Sequence, residues 1–345
     1  MQAVTRNYCS SISSSDRITK VRLQQKIKET NEECDKIFPN GKFMLYHRGK
    51  PLLYKDREKG DMPPRLLDFT NTAKYVPNLE KEAIFMKLHH DEETTDVPIF
   101  ACMLPKDTNV QDIEEEFSGR FTDMRLALFM IRSQWSGVMS GGSSLLRWLK
   151  SAKFCWSCKS PLQRNSAGCQ LKCTNDQCGS VYYPPTSPVG ISLIASEDHS
   201  RALLIRQPMY PKGMYSCVAG FVDAGESLAE CVARECAEEA GVVVDTSSLK
   251  MVGSNHWPNP AGSLMLGTIV TTKDTTPTPC SHEIEAVRWF TPEELKEAIT
   301  VSNENPGLRF GKGLDKLKSD LLFVPPKGAI ANVIISTWLK EHHNL

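Results

Sequence analysis

The 345-residue chain has no apolar run approaching the ~18–20 residues that span a bilayer, which excludes a helical membrane-spanning protein. It has no surplus of either charge, because Lys+Arg and Asp+Glu are both 41. A protein that follows nucleic acid by its overall field is therefore excluded. Gly and Pro, at 21 each, are too scarce for a collagen-like or low-complexity chain. No long apolar segment follows the first charged residue, so nothing reads as a secretory signal. The twelve cysteines then do not read as a disulfide framework. What remains is an ordinary globular composition, 40% hydrophobic and 24% charged, long enough for two or three domains.

The first 35 residues are rich in Ser and carry Arg6, Arg17, Lys20, Arg22 and Lys26, with Asp16 the one acid before Glu29. This composition fits a mitochondrial transit peptide, or else a disordered tail in a cytoplasmic protein. The final HHNL is not a peroxisomal signal. Three further segments follow from changes in composition: 36–150, a cysteine-bearing stretch at 151–186, and 187–345 after the break YYPPTSP. In the 36–150 block, FMLYHRGKPLLY reads as a hairpin with Gly49 and Pro51 near its turn. Strands are expected on either side of an acidic loop, HHDEETTD, in which His89 and His90 lack nearby metal-ligand partners. Met124, Leu128 and Ile131 share one face of an expected helix. SGGSS at 140–144 reads as a loop before a second helix, LLRWLKSAKF.

Five cysteines crowd residues 155–178. Cys155-x2-Cys158 is followed, after fourteen residues, by Cys173-x4-Cys178. Two close thiol pairs on opposing turns suit a tetrahedral Zn²⁺ ion, and four thiolates leave no open position, so the metal expected is structural. It would supply folding energy to a stretch too short to own a core. Cys169 is left over and is an alternative to Cys173.

The segment GFVDAGESLAECVARECAEEAGV, residues 220–242, holds most of the chemistry. Ser227 and Glu230 form a capping box, and Gly241 is placed to end the helix. Glu235, Glu238 and Glu239 stand at i, i+3 and i+4, so three carboxylates share one face, each like pair costing roughly 0.2–0.5 kcal/mol. A divalent cation turns that repulsion into attraction, and all-oxygen ligands suit Mg²⁺ or Mn²⁺. The bland reading is an acidic solvated face, but the helix offers only Arg234 as a base.

The loop and helix spell G-x5-E-x7-R-E-U-x-E-E-x-G-U through Gly220, Glu226, Arg234, Glu235, Cys236, Glu238, Glu239, Gly241 and Val242. This is the Nudix box, with Cys236 where a bulky aliphatic is usual. Downstream, SNHWPNPAGSLM resembles the SQPWPFPQSLM signature of the NADH pyrophosphatase family within the Nudix hydrolases. FVPPKGAIANVIISTWL, at 323–339, resembles that family's closing turn and helix, and the cysteine ribbon ending in YYP is similar too. GKFMLYHRGKPLLY and FTDMRLALFM resemble the N-terminal domain of the family's animal mitochondrial members. The departures are Asn255 for Gln, His256 for Pro, Asn259 for Phe, and one extra residue between Pro260 and Ser263.

The resemblance implies a Nudix α/β/α sandwich with a mixed sheet over 187–345, preceded by a zinc ribbon at 151–186 and an N-terminal α/β domain at 36–150. It implies Mg²⁺- or Mn²⁺-dependent hydrolysis of the diphosphate of NADH or NADPH, giving reduced nicotinamide mononucleotide and AMP or its 2′-phosphate. Glu235, Glu239, Glu283 and the carbonyl of Ala219 are the implied metal ligands, and Glu238 is a ligand or the general base. Cys155, Cys158, Cys173 and Cys178 are the implied zinc ligands. Tyr183, Phe221, Asn255, His256, Trp257, Pro258, Asn259, Pro260, Ser263 and Ala331 are the implied lining of the dinucleotide site. Glu226 and Arg234 tie the loop to the helix. Family members are often dimers, so a homodimer is implied. Rival readings are a different Nudix substrate such as an NAD-capped RNA end, or a dinucleotide-binding module without catalysis, which has no reason to keep three repelling glutamates.

Overall fold

The computed structural model describes residues 14–56, 62–90, 96–131, 135–258, 262–305, 308 and 321–343. They fall into two compact units that meet in the sequence at residues 186 and 187, with Pro258 and Gly262 grouped in the first.

In the first unit the helices are α1 (Ser14–Glu29), α2 (Asn31–Ile37), α3 (Phe69–Ala73), α4 (Leu79–Glu82), α5 (Val110–Glu116), α6 (Met124–Met130) and α7 (Trp135–Ser151). Its strands are β1 (Lys42–His47), β2 (Lys50–Leu53), β3 (Leu66–Leu67), β4 (Ile84–His90), β5 (Asp96–Met103) and β6 (Arg120–Phe121), followed by β7 (Leu162–Arg164), β8 (Leu171–Cys173) and β9 (Val181–Tyr182). The first six form a mixed sheet in the order β4-β5-β1-β2-β6, with β3 on β1; the last three form a small separate sheet. The hairpin expected at Gly49 is present: Arg48 (φ 49°) and Gly49 (φ 80°) take the left-handed conformations of a two-residue turn. Phe38, Phe43, Phe85 and Phe100 fill the core, and Phe43 stacks on Phe100 with ring centres 5.3 Å apart.

Three features depart from the sequence reading. His89 and His90 lie on β4 rather than in the acidic loop, whose residues 91–95 lie outside the described ones. Within the leader or tail expected over residues 1–35, residues 14–29 form α1, whose Ile27 is buried in the unit's core; residues 1–13 are outside the described set. Residues 140–144 are not a loop but the middle of α7. Loop-like composition here serves close packing. A Cβ on Gly142 would lie 2.8 Å from the Tyr46 hydroxyl and 3.2 Å from the Ala101 Cβ. The Tyr46 hydroxyl donates to the Met139 carbonyl at 2.8 Å, so the helix lies directly on β1 and β5.

The cysteine-bearing hairpins are bound into this same unit. Arg164 donates to the carbonyls of Lys81 and Ser166, both at 2.8 Å, and to that of Ala83. Asn165 donates to the Lys28 carbonyl at 2.7 Å, and the Phe85 amide to the Ala167 carbonyl at 2.9 Å. These bonds join ribbon to sheet within the first unit.

The second unit adds β10 (Ser187–Ser196), β11 (Ala202–Arg206), β12 (Val218–Phe221), β13 (Val244–Trp257), β14 (Ser263–Thr272) and β15 (Ala286–Phe290), with α8 (Leu228–Ala240), α9 (Pro292–Glu304) and α10 (Ile330–His342). The sheet order is β13-β14-β10-β11-β15, with β12 on β10. β10 and β14 pair in parallel and the other neighbours antiparallel, so the sheet is mixed. Alternate residues sort to opposite faces, as the two-residue strand period requires. Ile191, Leu193, Ala195 and Leu204 pack with Leu295 of α9 and Ile334, Ile335 and Trp338 of α10. Ile194, Leu203 and Ile205 pack with Val232, Cys236 and Ala240 of α8. This is the helix–sheet–helix sandwich expected.

The packing of α7 generates a paired prediction. Gly142→Val should cost roughly 1–3 kcal/mol by overpacking. Gly137→Ala, with nothing within 4 Å of the added carbon, should raise stability by about 0.5–1 kcal/mol. Equal denaturation midpoints for the two variants would refute the close contact.

Candidate active site and thiol centre

Helix α8 is positioned from both ends. The Ser227 hydroxyl accepts from the Glu230 amide at 3.3 Å, and Glu230 accepts from the Ser227 amide at 2.7 Å. Gly241 closes the helix at φ 65°. Its apolar face presents Cys231, Val232, Cys236 and Ala240, all buried. Cys236, standing where an aliphatic is usual, is fully buried and serves as a small hydrophobe.

The helix approaches β12 so closely that a Cβ on Gly220 would lie 1.8 Å from Glu235 Oε1. Any larger residue there would force the Glu235 carboxylate to move. Arg234 holds the loop and the carboxylates together. Its Nε and Nη2 fork onto Glu226 at 2.6 and 2.9 Å, and its Nη1 reaches Glu235 at 2.7 Å and Glu238 at 2.9 Å. Nη2 also donates to the Phe221 carbonyl at 2.8 Å. Bidentate, charge-assisted bonds of this kind are among the strong ones. They pull Glu226 down to about 2, with the Arg234 bonds the largest cause and the Asp223 amide next. Glu226 and Arg234 thus tie loop to helix, and Arg234 supplies the i+4 partner for Glu238.

Glu239 is different. It is 3% exposed, and its Oε2 accepts from the Ala219 amide at 3.2 Å. Among the described residues no Lys, Arg or His pairs with it. Burial pushes its carboxyl up to about 7; the Ala219 amide and the Gln207 side chain oppose this, while Glu235 and Glu283 add to it. Burial also raises Glu235, against the pull of Arg234. Glu283 is exposed, after β14, and its charge bears on both Glu235 and Glu239. Glu238 is the outermost of the three helix carboxylates, its side chain 57% exposed. A buried acid with no Lys, Arg or His partner among the described residues thus stands near a second acid raised by burial, although no three of these carboxylates have oxygens within 4.8 Å of one another as the ribbon thiols have their sulfurs. Sequence reasoning missed Gln207 and Tyr210. Gln207 bonds Glu239, and half-buried Tyr210 is raised by desolvation and then by the Glu239 charge. They stand in an unpatterned turn after β11, which carries no motif.

The implied dinucleotide-site residues are placed unevenly. Asn255, His256 and Trp257 end β13, paired with Met265, Leu264 and Ser263. Adjacent strand residues face opposite ways, so Asn255 and Trp257 share one face and His256 takes the other. Asn255 Oδ1 is buried without a hydrogen-bond partner. Burial lowers His256. Pro258 and Ser263 are buried. Phe221, at the end of β12, is 47% exposed. Ala331 is buried with Ile330 and Ile334 in the core beneath the sheet. Tyr183 is exposed and belongs to the first unit. Asn259 and Pro260 lie outside the described residues.

The second site is in the ribbon. Among the described residues, Cys155, Cys158, Cys173 and Cys178 are the one group of three or more such ligands with atoms within 4.8 Å of one another. Cys155 and Cys178 sulfurs are 3.7 Å apart, and those of Cys158 and Cys173 are 3.4 Å apart. Bonds led by the Tyr182 hydroxyl hold Cys155 down to about 5, whereas burial pushes Cys173 up to about 12. Cys169 stands apart, its sulfur 3.4 Å from the Lys28 carbonyl, so Cys173 completes the group. The set is what a tetrahedral metal ion requires.

The NUDIX domain family matches residues 186–308. The mitochondrial NAD(P)H pyrophosphatase NUDT13 of Homo sapiens is 31% identical over 345 residues, covering 94% of this chain and 91% of that protein. The NAD-capped RNA hydrolase ndx-9 of Caenorhabditis elegans is 31% identical over 351 residues, covering 95% and 91%. The crystal structure of a Nudix hydrolase from Nitrosomonas europaea is 21% identical, with a TM-score of 0.35, covering 51% of this chain and 99% of that one.

The burial of Glu239 predicts a pH signature. Its folded pKa, about 7, lies above the ordinary 4.5, so the native state holds a proton that the unfolded chain releases between those values. Its contribution to stability therefore falls as pH rises through that window. In metal-free protein, Glu239→Gln should stabilise by roughly 2–3 kcal/mol at pH 8 and by little at pH 4.5. Thermal melts at the two pH values check this; a pH-independent difference would contradict it.

Proposed function

The chain belongs to the Nudix family, and we propose that it hydrolyses the diphosphate of NADH and NADPH to reduced nicotinamide mononucleotide and AMP, or 2′,5′-ADP. The observation that carries this reading is Glu239: a buried, unpaired carboxylate, flanked by Glu235 and faced by Glu283. The relative named as an NAD(P)H pyrophosphatase, matched along nine-tenths of both chains, supports the substrate class. Its mitochondrial name and the basic, acid-poor start of this chain support a mitochondrial location.

Glu235, Glu239, Glu283 and the Ala219 carbonyl would hold Mg²⁺ or Mn²⁺. When bound, such ions neutralise charge on the diphosphate oxygens as a P–O bond breaks. Glu238, outermost on the helix and held only through Arg234, is the candidate to take the proton of the attacking water. Arg234, forked on Glu226, keeps Glu235 and Glu238 oriented. Water adds to one phosphorus, the bridging oxygen leaves with the other, and two monophosphates result. Phe221 and the Asn255–Trp257 strand end are proposed to face the dinucleotide; the buried Asn255 Oδ1 is an acceptor still open to a donor. The four ribbon thiols would hold a structural Zn²⁺.

A second reading is favoured by the worm relative, named an NAD-capped RNA hydrolase and matched over the same span. The diphosphate cut would be the same, with RNA carried on one product.

With Mg²⁺ or Mn²⁺, purified protein should convert NADH to the two monophosphates, and Glu239→Gln should lower kcat at least about 100-fold, a scale typical for loss of one charge-stabilising group. Parent-like turnover by the variant would refute the assignment.

A further inference from the structure

The first unit contains a cavity of about 720 Å³ that the catalytic chemistry does not use. It is formed by α4, the loop after β5, the end of α7 and the ribbon strands β7 and β8. Lys81, Lys106, Lys150 and Lys153 line it from three segments, all exposed. Among the described residues, none of these ammonium groups has a carboxylate within ion-pair distance. Glu82 is the one acid in the lining. In a chain of zero formal charge, this is a local concentration of positive charge over a floor that includes Leu104 and Leu146. Its volume lies within the ~300–1,000 Å³ common for ligand sites.

The chemistry of the lining selects the ligand. Arg164, the lining residue able to fork onto a phosphate or base, is spent on backbone carbonyls. What remains are flexible point charges without fixed donors, which suit phosphate oxygens and read no base. We propose that this cavity seats the phosphodiester backbone of single-stranded RNA, independently of sequence. The proposal rests on the NAD-capped RNA reading for its biological use, since there the cut substrate trails a polyanion.

The test is binding of a 5′-phosphorylated single-stranded RNA of about twelve nucleotides to the full chain, measured by anisotropy as salt rises from about 50 to 200 mM. The comparison is Lys81→Gln/Lys106→Gln/Lys150→Gln/Lys153→Gln, whose changes are at exposed positions. Loss of four phosphate contacts at about 0.7 each should reduce the log–log salt slope by about 3 and weaken binding at least about tenfold at the lowest salt. NADH turnover should not change, and an unchanged thermal melt reports that the variant folds. Equal RNA affinity and slope in the two proteins would overturn the proposal. So would loss of AMP binding in the variant with RNA binding intact, which makes the cavity a mononucleotide seat. If RNA binding falls as predicted while neither protein cuts any dinucleotide, the cavity assignment stands and the hydrolase reading fails.

Discussion

The approach of helix α8 to strand β12 is the constraint on which the carboxylate site depends. At Gly220 an added Cβ would meet the Glu235 carboxylate. The helix can sit low enough for Glu239 to bury its carboxylate against the Ala219 amide. Arg234 can then reach Glu226, Glu235 and Glu238 together. A side chain at position 220 would displace the Glu235 carboxylate, whose flexible side chain would have to turn away. The fold therefore bears the cost of a buried acid that no Lys, Arg or His pairs with among the described residues.

The two units solve different problems by related means. In the hydrolase unit, α8 carries three acids, and Glu239 is buried with no Lys, Arg or His paired to it among the described residues. In the ribbon, four thiols are gathered by hairpins too short to have a core, with Tyr182 favouring the thiolate at Cys155 and burial opposing it at Cys173. The ribbon is not a loose appendage. Arg164 and Asn165 fasten it to the carbonyls of Lys81, Ala83 and Lys28, so ribbon and N-terminal sheet form one body.

Much of this was legible in the sequence because the signals are local. The capping box at Ser227 and Glu230, the stop at Gly241, and the i, i+3, i+4 glutamates each depend on residues within one or two helical turns. What was not legible depends on distant partners. Residues 140–144 carry loop composition, yet lie in a helix because Tyr46 and Ala101, far away in the chain, need small neighbours. Spacing alone left Cys169 and Cys173 as alternatives; the Lys28 carbonyl, beyond any ribbon motif, holds Cys169 away. Gln207 touches Glu239 from a turn with no pattern, and Ala331, implied as a lining residue by resemblance, has its side chain in the core. Arg234 was visible as a base, but its reach to three acids is a matter of geometry.

The central claim is that Glu239 is held buried and uncompensated for a divalent cation. Thermal stability of the parent and of Glu239→Gln, titrated with Mn²⁺ near pH 7.5 in the absence of nucleotide, tests it most directly. The account predicts that the parent melts progressively higher as Mn²⁺ is added, by mass action on the folded state, while the variant's midpoint scarcely moves. The same Mn²⁺-dependent rise in both proteins would contradict it.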